Sequence, residues 1–348
     1  MSLISFYLRT FSTVLLMIFI PVYGYCGTVG VGTHFQGYDG PSDVYLEKIK
    51  GMGFFSFRED YPWSKIEKEK GVFMVGDEIK KTDSAFLNAK QHGLEPILIL
   101  DYGNKFYNNG DYPRDPDSIK AYVNYVSWTA EHFKGKVKYY EIWNEWTNGT
   151  GMARYINNIP AAEVYFNLVK ATSQAIKSID PTAVILAGGF NPLEQRAKHI
   201  DVSDGIWFSQ LLKMGILNYI DGVSIHTYSY LNGNRSLRSA SGNLNFLDQF
   251  HANAVKIAGR EFPFYITEIG ITNYDGPGGM NQKDAADYLK DYINEARSRS
   301  YIKGIWIYDL MDDGKNLKKR DFNFGLLNRD LSPKLSAVEV QNFLLKNK

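Results

Sequence analysis

The chain has 348 residues, 44% hydrophobic and 22% charged, and its 39 basic and 38 acidic side chains leave a net charge of +1. That composition supplies apolar surface for a packed core and excludes a largely disordered chain. The near-zero charge removes the electrostatic case for a nucleic-acid partner, and the single cysteine, Cys26, excludes an internal disulfide, a zinc finger, an iron–sulfur centre and a CxxC redox site.

The first element in chain order is a targeting pattern. Arg9 is the only charge before Asp39, Phe11–Pro21 is a short apolar run, and Val22-Tyr23-Gly24 follows with residues tolerated at a cleavage site. Residues 1–26 are expected to be a secretory signal peptide or, if uncleaved, a membrane anchor, although the run is short of the ~20 residues of a spanning helix. A secreted or periplasmic monomer is the expectation, with residues 27–348 as the working domain.

From Thr28 onward, short β-branched or aromatic runs alternate with amphipathic stretches. The predicted strands are Val29–Phe35, Gly53–Arg58, Glu95–Asp101, Val137–Trp143, Ala183–Gly188, Gly222–Thr227, Pro263–Glu268 and Gly304–Asp309. They are apolar on both faces, as strands of a helix-covered parallel sheet are. The predicted helices between them are Ser42–Lys50, Asp77–Gln91 ending before Gly93, Asp117–Phe133, Ala161–Ser178, Ser203–Met214, Leu244–Ala258, Lys283–Arg299 and Leu335–Leu345. Eight βα units in order, with no Pro/Ser-rich linker, predict one (β/α)8 TIM barrel in a single domain.

Such barrels place their chemistry at the C-terminal ends of the strands. His34, Arg58, Asp101-Tyr102, Asn144-Glu145, His226, Tyr228, Glu268, Trp306 and Asp309 all fall at predicted strand ends. Glu145 closes the fourth strand and Glu268 the seventh, each where a buried apolar run gives way to loop. A carboxylate there is costly unless paired or protonated. Two facing one mouth suit acetal cleavage, with one carboxyl to protonate the leaving oxygen and one to attack or assist at the anomeric carbon. Glu141, inside the strand, reads instead as a structural carboxylate, and Trp143 as core. Gly276-Pro277-Gly278-Gly279 lacks the spacing of a phosphate loop. The His and acidic residues lack metal-ligand spacing, so no metal or cofactor is expected.

Several segments resemble clan A glycoside hydrolases. Glu141-Ile142-Trp143-Asn144-Glu145 resembles the strand-four Asn-Glu signature of that clan, and Ile266-Thr267-Glu268-Ile269-Gly270 its strand-seven nucleophile segment. Phe57-Arg58, Trp63–Glu67, Leu98–Asn104, Ser224–Tyr228 and Phe324–Leu327 are similar to family 39-like and family 5-like members, and the finer likeness is to bacterial exopolysaccharide-associated glycosidases. Trp146 departs from the pattern, standing where many clan members have proline.

The resemblance implies a retaining glycosidase acting on a β-linked polysaccharide or oligosaccharide. Glu268 would be the nucleophile and Glu145 the acid/base, the latter with a raised pKa. Asn144 would contact the 2-hydroxyl, Arg58 and Tyr228 would hold Glu268, His226 would contact Glu145 or the sugar, and Trp306 would form the subsite floor. Trp146, Tyr102, Tyr274, His34 and Asp309 are further candidate sugar contacts. A glycan-binding or biosynthesis-coupled protein with little turnover, and a transglycosylase, are the alternatives.

Overall fold

A computed structural model describes residues 27–151, 159–193 and 203–347. The expected signal segment, residues 1–26, lies outside these residues. Strands β1 Thr28–Gly32, β2 Ser56–Asp60, β3 Ile97–Leu100, β4 Tyr139–Ile142, β5 Val184–Phe190, β6 Gly222–His226, β7 Phe264–Ile269 and β8 Ile302–Ile307 form a closed parallel barrel in chain order. Residues Thr28 to Val31 of β1 pair with Gly304 to Ile307 of β8 to complete the ring.

The helices are α1 Ser42–Gly51, α2 Trp63–Ile66, α3 Lys80–Asn88, α4 Pro116–His132, α5 Ala162–Ile179, α6 Asp204–Lys213, α7 Ala240–Ala258, α8 Gln282–Ala296 and α9 Leu335–Lys346. The longer helices cover the outside of the ring, as expected. Among the described residues no helix is long and apolar enough to cross a membrane.

Element ends moved where local chemistry intervened. The α7 helix starts at Ala240 rather than Leu244, because the Ser239 hydroxyl caps it by accepting from the Gly242 N–H. Gly93, at φ 68°, ends the short 3-10 extension of α3 in the left-handed conformation that glycine favours. At β2 the strand runs two residues past Arg58, to Asp60. At β8 it starts two residues before the expected Gly304 and stops at Ile307.

The β8 shift decides the fate of Trp306. Alternate residues of a barrel strand face the interior. Trp306 therefore sits inside the barrel, 2% exposed, packed with Ile97 and Leu186 and donating from Nε1 to the Ser56 hydroxyl at 2.9 Å. It is not a sugar platform at the mouth but a plug below it. Gly30 and Gly304 make the room: a Cβ at Gly30 would collide with the indole nitrogen, and one at Gly304 with the six-membered ring.

This packing predicts that Gly30→Ala lowers stability by about 1–3 kcal/mol through overpacking. Gly37→Ala, where nothing lies within 4 Å of the added methyl, stays close to wild type. Urea midpoints of the two variants provide the check.

Candidate active site

The mouth of the barrel is organised by Arg58, whose side chain points inward from β2 and is 5% exposed. A buried guanidinium needs acceptors for its donors. Its Nε donates to Glu141 Oε2 at 2.7 Å, and its Nη2 donates to Glu141 Oε1 at 3.1 Å and to Asn144 Oδ1 at 2.9 Å. Its Nη1 donates to Glu268 Oε1 at 2.6 Å. Glu141 also accepts from the Ser224 hydroxyl at 2.6 Å, so it is the structural carboxylate expected from its place within the strand. Glu268 takes a second donor, the Tyr228 hydroxyl, on Oε2 at 2.8 Å. Both of its oxygens are therefore held, while 8% of the residue still faces the opening.

Across the mouth, β4 ends in a turn with positive φ at Trp143 (62°) and Glu145 (47°). Side-chain-bearing residues adopt that conformation only where surrounding packing over-determines it. The packing is aromatic: the Trp143 ring stacks on Tyr112 at 5.4 Å and meets Trp146 at 5.0 Å, and the Tyr112 hydroxyl donates to the Trp146 carbonyl. The turn sends two consecutive side chains, Asn144 and Glu145, to the mouth.

Glu145 Oε1 lies 3.0 Å from His226 Nδ1, and Oε2 accepts from Asn148 Nδ2 at 2.6 Å and from the Thr150 hydroxyl at 2.7 Å. His226 Nε2 is 3.5 Å from Glu268 Oε1, so one imidazole spans both carboxylates. Oxygens of Glu145 and Glu268 and a His226 nitrogen all lie within 4.8 Å of one another.

The electrostatics correct one expectation. Burial alone would raise the Glu145 carboxyl. The hydrogen bond and charge of His226, together with the Asn148 and Thr150 donors, outweigh burial and hold it at about 2. Burial would lower His226, but Glu268 and Glu145 raise it above its ordinary value. The resting pair thus keeps its proton on His226, and Glu145 is not the raised-pKa acid that the sequence suggested.

The cleft between these groups has a volume of about 280 Å³ and is lined by residues of β1, β2, β3 and β7 and of the segments that follow β4 and β8. A larger cavity, about 400 Å³, opens beside Lys177 and Arg260 at the N-terminal ends of β6 and β7, the face opposite the glutamates.

The family model for Cellulase (glycosyl hydrolase family 5) matches residues 23–308. The chain belongs to glycosyl hydrolase family 5. Among curated proteins, the endo-1,4-beta-xylanase B of Neocallimastix patriciarum is 23% identical over 214 residues, which is 58% of this chain and 23% of that protein. The match therefore spans about a quarter of the xylanase.

Solved structures with the same fold include a family 39 glycoside hydrolase from Bacteroides cellulosilyticus, at 22% identity and TM-score 0.69, covering 93% of this chain and 65% of that one. A family 5, subfamily 18 protein from Streptomyces cattleya, solved with GlcNAc, has 14% identity and TM-score 0.72 over 92% and 80% of the two chains. Xylanase 10B from Thermotoga maritima has 14% identity and TM-score 0.65 over 93% and 96%. The clan A barrel is thus shown by the family model and by the fold.

Within this family 5 barrel, Arg58, Asn144, Glu145, His226, Tyr228 and Glu268 come together. Tyr102 joins them, its hydroxyl accepting from Asn144 Nδ2 at 2.9 Å. His34 lines the cleft, with Nδ1 2.9 Å from Asp313. The carboxylates of Asp313 and Asp309 raise it to about 10 against the opposing effect of burial.

Four other expected sugar contacts are not at the cleft. Trp306 is the interior plug. Trp146 is fully buried beneath the β4 turn, packed against Tyr112 and Tyr165. Asp309 is 1% exposed behind His34, with its nearest oxygen 3.5 Å from Nδ1, and burial pushes its carboxyl well above the usual range. Tyr274 folds back on its own loop, donating to the Pro277 carbonyl, and is absent from the lining.

The sequence reading missed Tyr308, Glu59, Asp60, Asn148 and Thr150. Tyr308 lines the cleft two residues beyond Trp306, on the same inward face, where a correct β8 register would have put it. His34, Asp309 and Asp313 also come within 4.8 Å of one another, as do Glu145, His226 and Glu268. In each set an imidazole lying between carboxylates accounts for the closeness without a metal ion.

The His226–Glu145 pair predicts the pH profile. With Glu145 low and His226 raised, the pair holds one proton until pH climbs through the His226 value. The alkaline limb of kcat/KM is expected above pH 6.5, the ordinary histidine value. A limb near pH 5 would mean that Glu145 titrates as an isolated carboxyl.

Proposed function

We infer that this chain is a secreted retaining glycoside hydrolase that cleaves a β-linked polysaccharide or oligosaccharide by double displacement. The observation that carries the reading is the pair of glutamates meeting across one mouth, with oxygens within 4.8 Å of each other. Retaining enzymes keep their two carboxyl groups ~5–5.5 Å apart, whereas inverting enzymes leave roughly 6.5–9.5 Å for a water. The separation here supports retention. The xylanase relative supports a β-1,4-linked backbone as substrate, and the apolar segment Phe11–Pro21 supports export.

In the first step a Glu268 oxygen attacks the anomeric carbon and the glycosidic C–O bond breaks. Arg58 and Tyr228 keep that carboxylate charged and aimed. The proton of the pair passes from His226 Nδ1 to Glu145 along the 3.0 Å contact and on to the departing oxygen. The product of this step is a glycosyl ester of Glu268, without the charge that faced His226.

In the second step Glu145 takes a proton from water, and the water oxygen attacks the anomeric carbon. The ester bond breaks and Glu268 regains its charge. Asn144, oriented by Arg58 and Tyr102, presents its remaining amide hydrogen to the sugar hydroxyl beside the reacting carbon.

Hydrolysis of β-1,4-xylan, β-1,4-mannan and hydroxyethylcellulose, followed by proton NMR of the first-formed anomer, tests the reading. Wild type is expected to release the β anomer from at least one of the three. Glu268→Gln is expected to release none. Glu145→Ala is expected to lose ~10²- to 10⁴-fold on the polysaccharide, yet still give a burst of phenol from 2,4-dinitrophenyl glycosides, whose leaving group needs no acid. Inversion, or full activity in Glu268→Gln, overturns the mechanism.

A further inference from the structure

The two oxygens of Glu145 are held in unlike ways. Oε1 faces His226 Nδ1 at 3.0 Å. Oε2 accepts from Asn148 Nδ2 at 2.6 Å and from the Thr150 hydroxyl at 2.7 Å. Asn148 Nδ2 also donates to Thr150 Oγ1 at 3.2 Å, so the three side chains close a triangle. A carboxylate oxygen has two lone pairs. Both of those on Oε2 are taken, whereas Oε1 keeps one beyond its contact with His226.

The backbone after β4 serves this triangle. Asn148 closes the short 3-10 turn that begins at Glu145, and its N–H donates to the Glu145 carbonyl at 2.8 Å. Gly149 at φ 68° and Gly151 at φ 74° flank Thr150, both in the left-handed conformation that glycine adopts freely. They let the chain fold back, so that Thr150 meets the carboxylate it follows and lines the cleft. A Cβ at Gly151 would collide with the Tyr102 ring, so the return path is close-fitting.

The charged groups that face Glu145 come from other elements: His226 from β6, Glu268 from β7 and, bonded to Glu268, Arg58 from β2. Asp60, Tyr102 and Tyr228 stand around the same cleft. Amide and hydroxyl donors keep their hydrogens at ordinary pH. Of the groups that touch Glu145, only the His226 imidazolium can release one.

We propose that Asn148 and Thr150 are positioning residues that reserve Oε2 of Glu145 as a permanent acceptor, so that protons enter and leave this carboxylate through Oε1 alone and the acid step draws its proton from His226. This rests on the glycosidase reading above and assigns the route of its proton. In the first step the Nδ1–H bond breaks, an O–H bond forms at Oε1, and the proton passes to the departing oxygen as the C–O bond breaks. The second step runs the other way, from water to Oε1 and back to Nδ1, and the pair ends as it began. The ionisation of Glu145 agrees with this division: against burial, which raises it, His226, Asn148 and Thr150 hold the carboxyl at about 2.

Carbon-13 NMR of labelled glutamate carboxyls, with Glu145 identified by its loss in Glu145→Gln, reads the midpoint directly. It is expected at about 2 in wild type. A hydrogen bond to a charged group predicts a rise of about 1–2 pH units in Asn148→Ala and in Thr150→Val, and a larger one in the double variant. Thr150→Ser, which keeps the hydroxyl, should match wild type. The alkaline limb of kcat/KM should stay in place throughout, because the pair holds Glu145 ionised both before and after His226 loses its proton.

Rescue separates this role from a structural one. His226→Gln is expected to lower kcat/KM on the best polysaccharide of the three, relative to a 2,4-dinitrophenyl glycoside, by ~10²- to 10⁴-fold. Adding Asn148→Ala and Thr150→Val lets Glu145 carry a proton of its own, and assays at about pH 5 should recover at least ~10-fold of that loss. A Glu145 midpoint in Thr150→Val equal to wild type, or no recovery in the triple variant, overturns the proposal. Either leaves the glycosidase reading intact provided that Glu268→Gln still abolishes turnover. A wild type inert toward the three polysaccharides and the dinitrophenyl glycosides overturns both together. Should the multiple variants not fold, the midpoint in Thr150→Val decides alone.

Discussion

A guanidinium taken out of water must find acceptors for its donors, and the upper half of this barrel is arranged around that requirement. Arg58 meets it with two carboxylates and one amide, from β4, the β4 turn and β7. Charge-assisted bonds of this kind are short and directional, and the Glu141 contact is bidentate. Removing Arg58 itself would leave two buried carboxylates without their cation, at a cost of several kcal/mol. The same requirement explains why Glu141 occupies the interior of a strand where an aliphatic residue would otherwise pack. It orients Arg58, and Arg58 then orients Glu268 and Asn144.

Glu145 and Glu268 face each other because two unlike supports meet. Glu268 hangs from polar contacts, whereas Glu145 stands on a bed of rings. The positive φ values at Trp143 and Glu145 are held by Trp146, Tyr112 and Tyr165 below them. The aromatic excess in the composition therefore serves chiefly as foundation. Trp146, expected as a sugar contact, is part of the footing on which Glu145 rests.

Much of this was legible in the linear sequence. Eight alternating βα units foretold the closed barrel, and the Asn144-Glu145 and Glu268 strand ends foretold the residues that meet. What was not legible depends on register and on contacts distant in sequence. A two-residue error in the start of β8 exchanged Trp306 for Tyr308, because inward positions recur every second residue. Asp60 was missed for the related reason that β2 runs beyond Arg58. The ionisation of Glu145 depends on a β6 histidine 81 residues away, and no local pattern announces that neighbour. Asp309 was placed at a strand end, but the chain turns there and its side chain goes underneath His34.

The indole of Trp306, wedged against Gly30 and Gly304 and tied to Ser56, makes the barrel a vessel with a sealed bottom. On the proposed double displacement, everything that reaches the ester of Glu268 must come through the doorway by which the severed half of the glycan departs. Vacating that doorway then sets the order of events, and whichever nucleophile waits at the threshold, a water or another saccharide, decides what the sugar becomes.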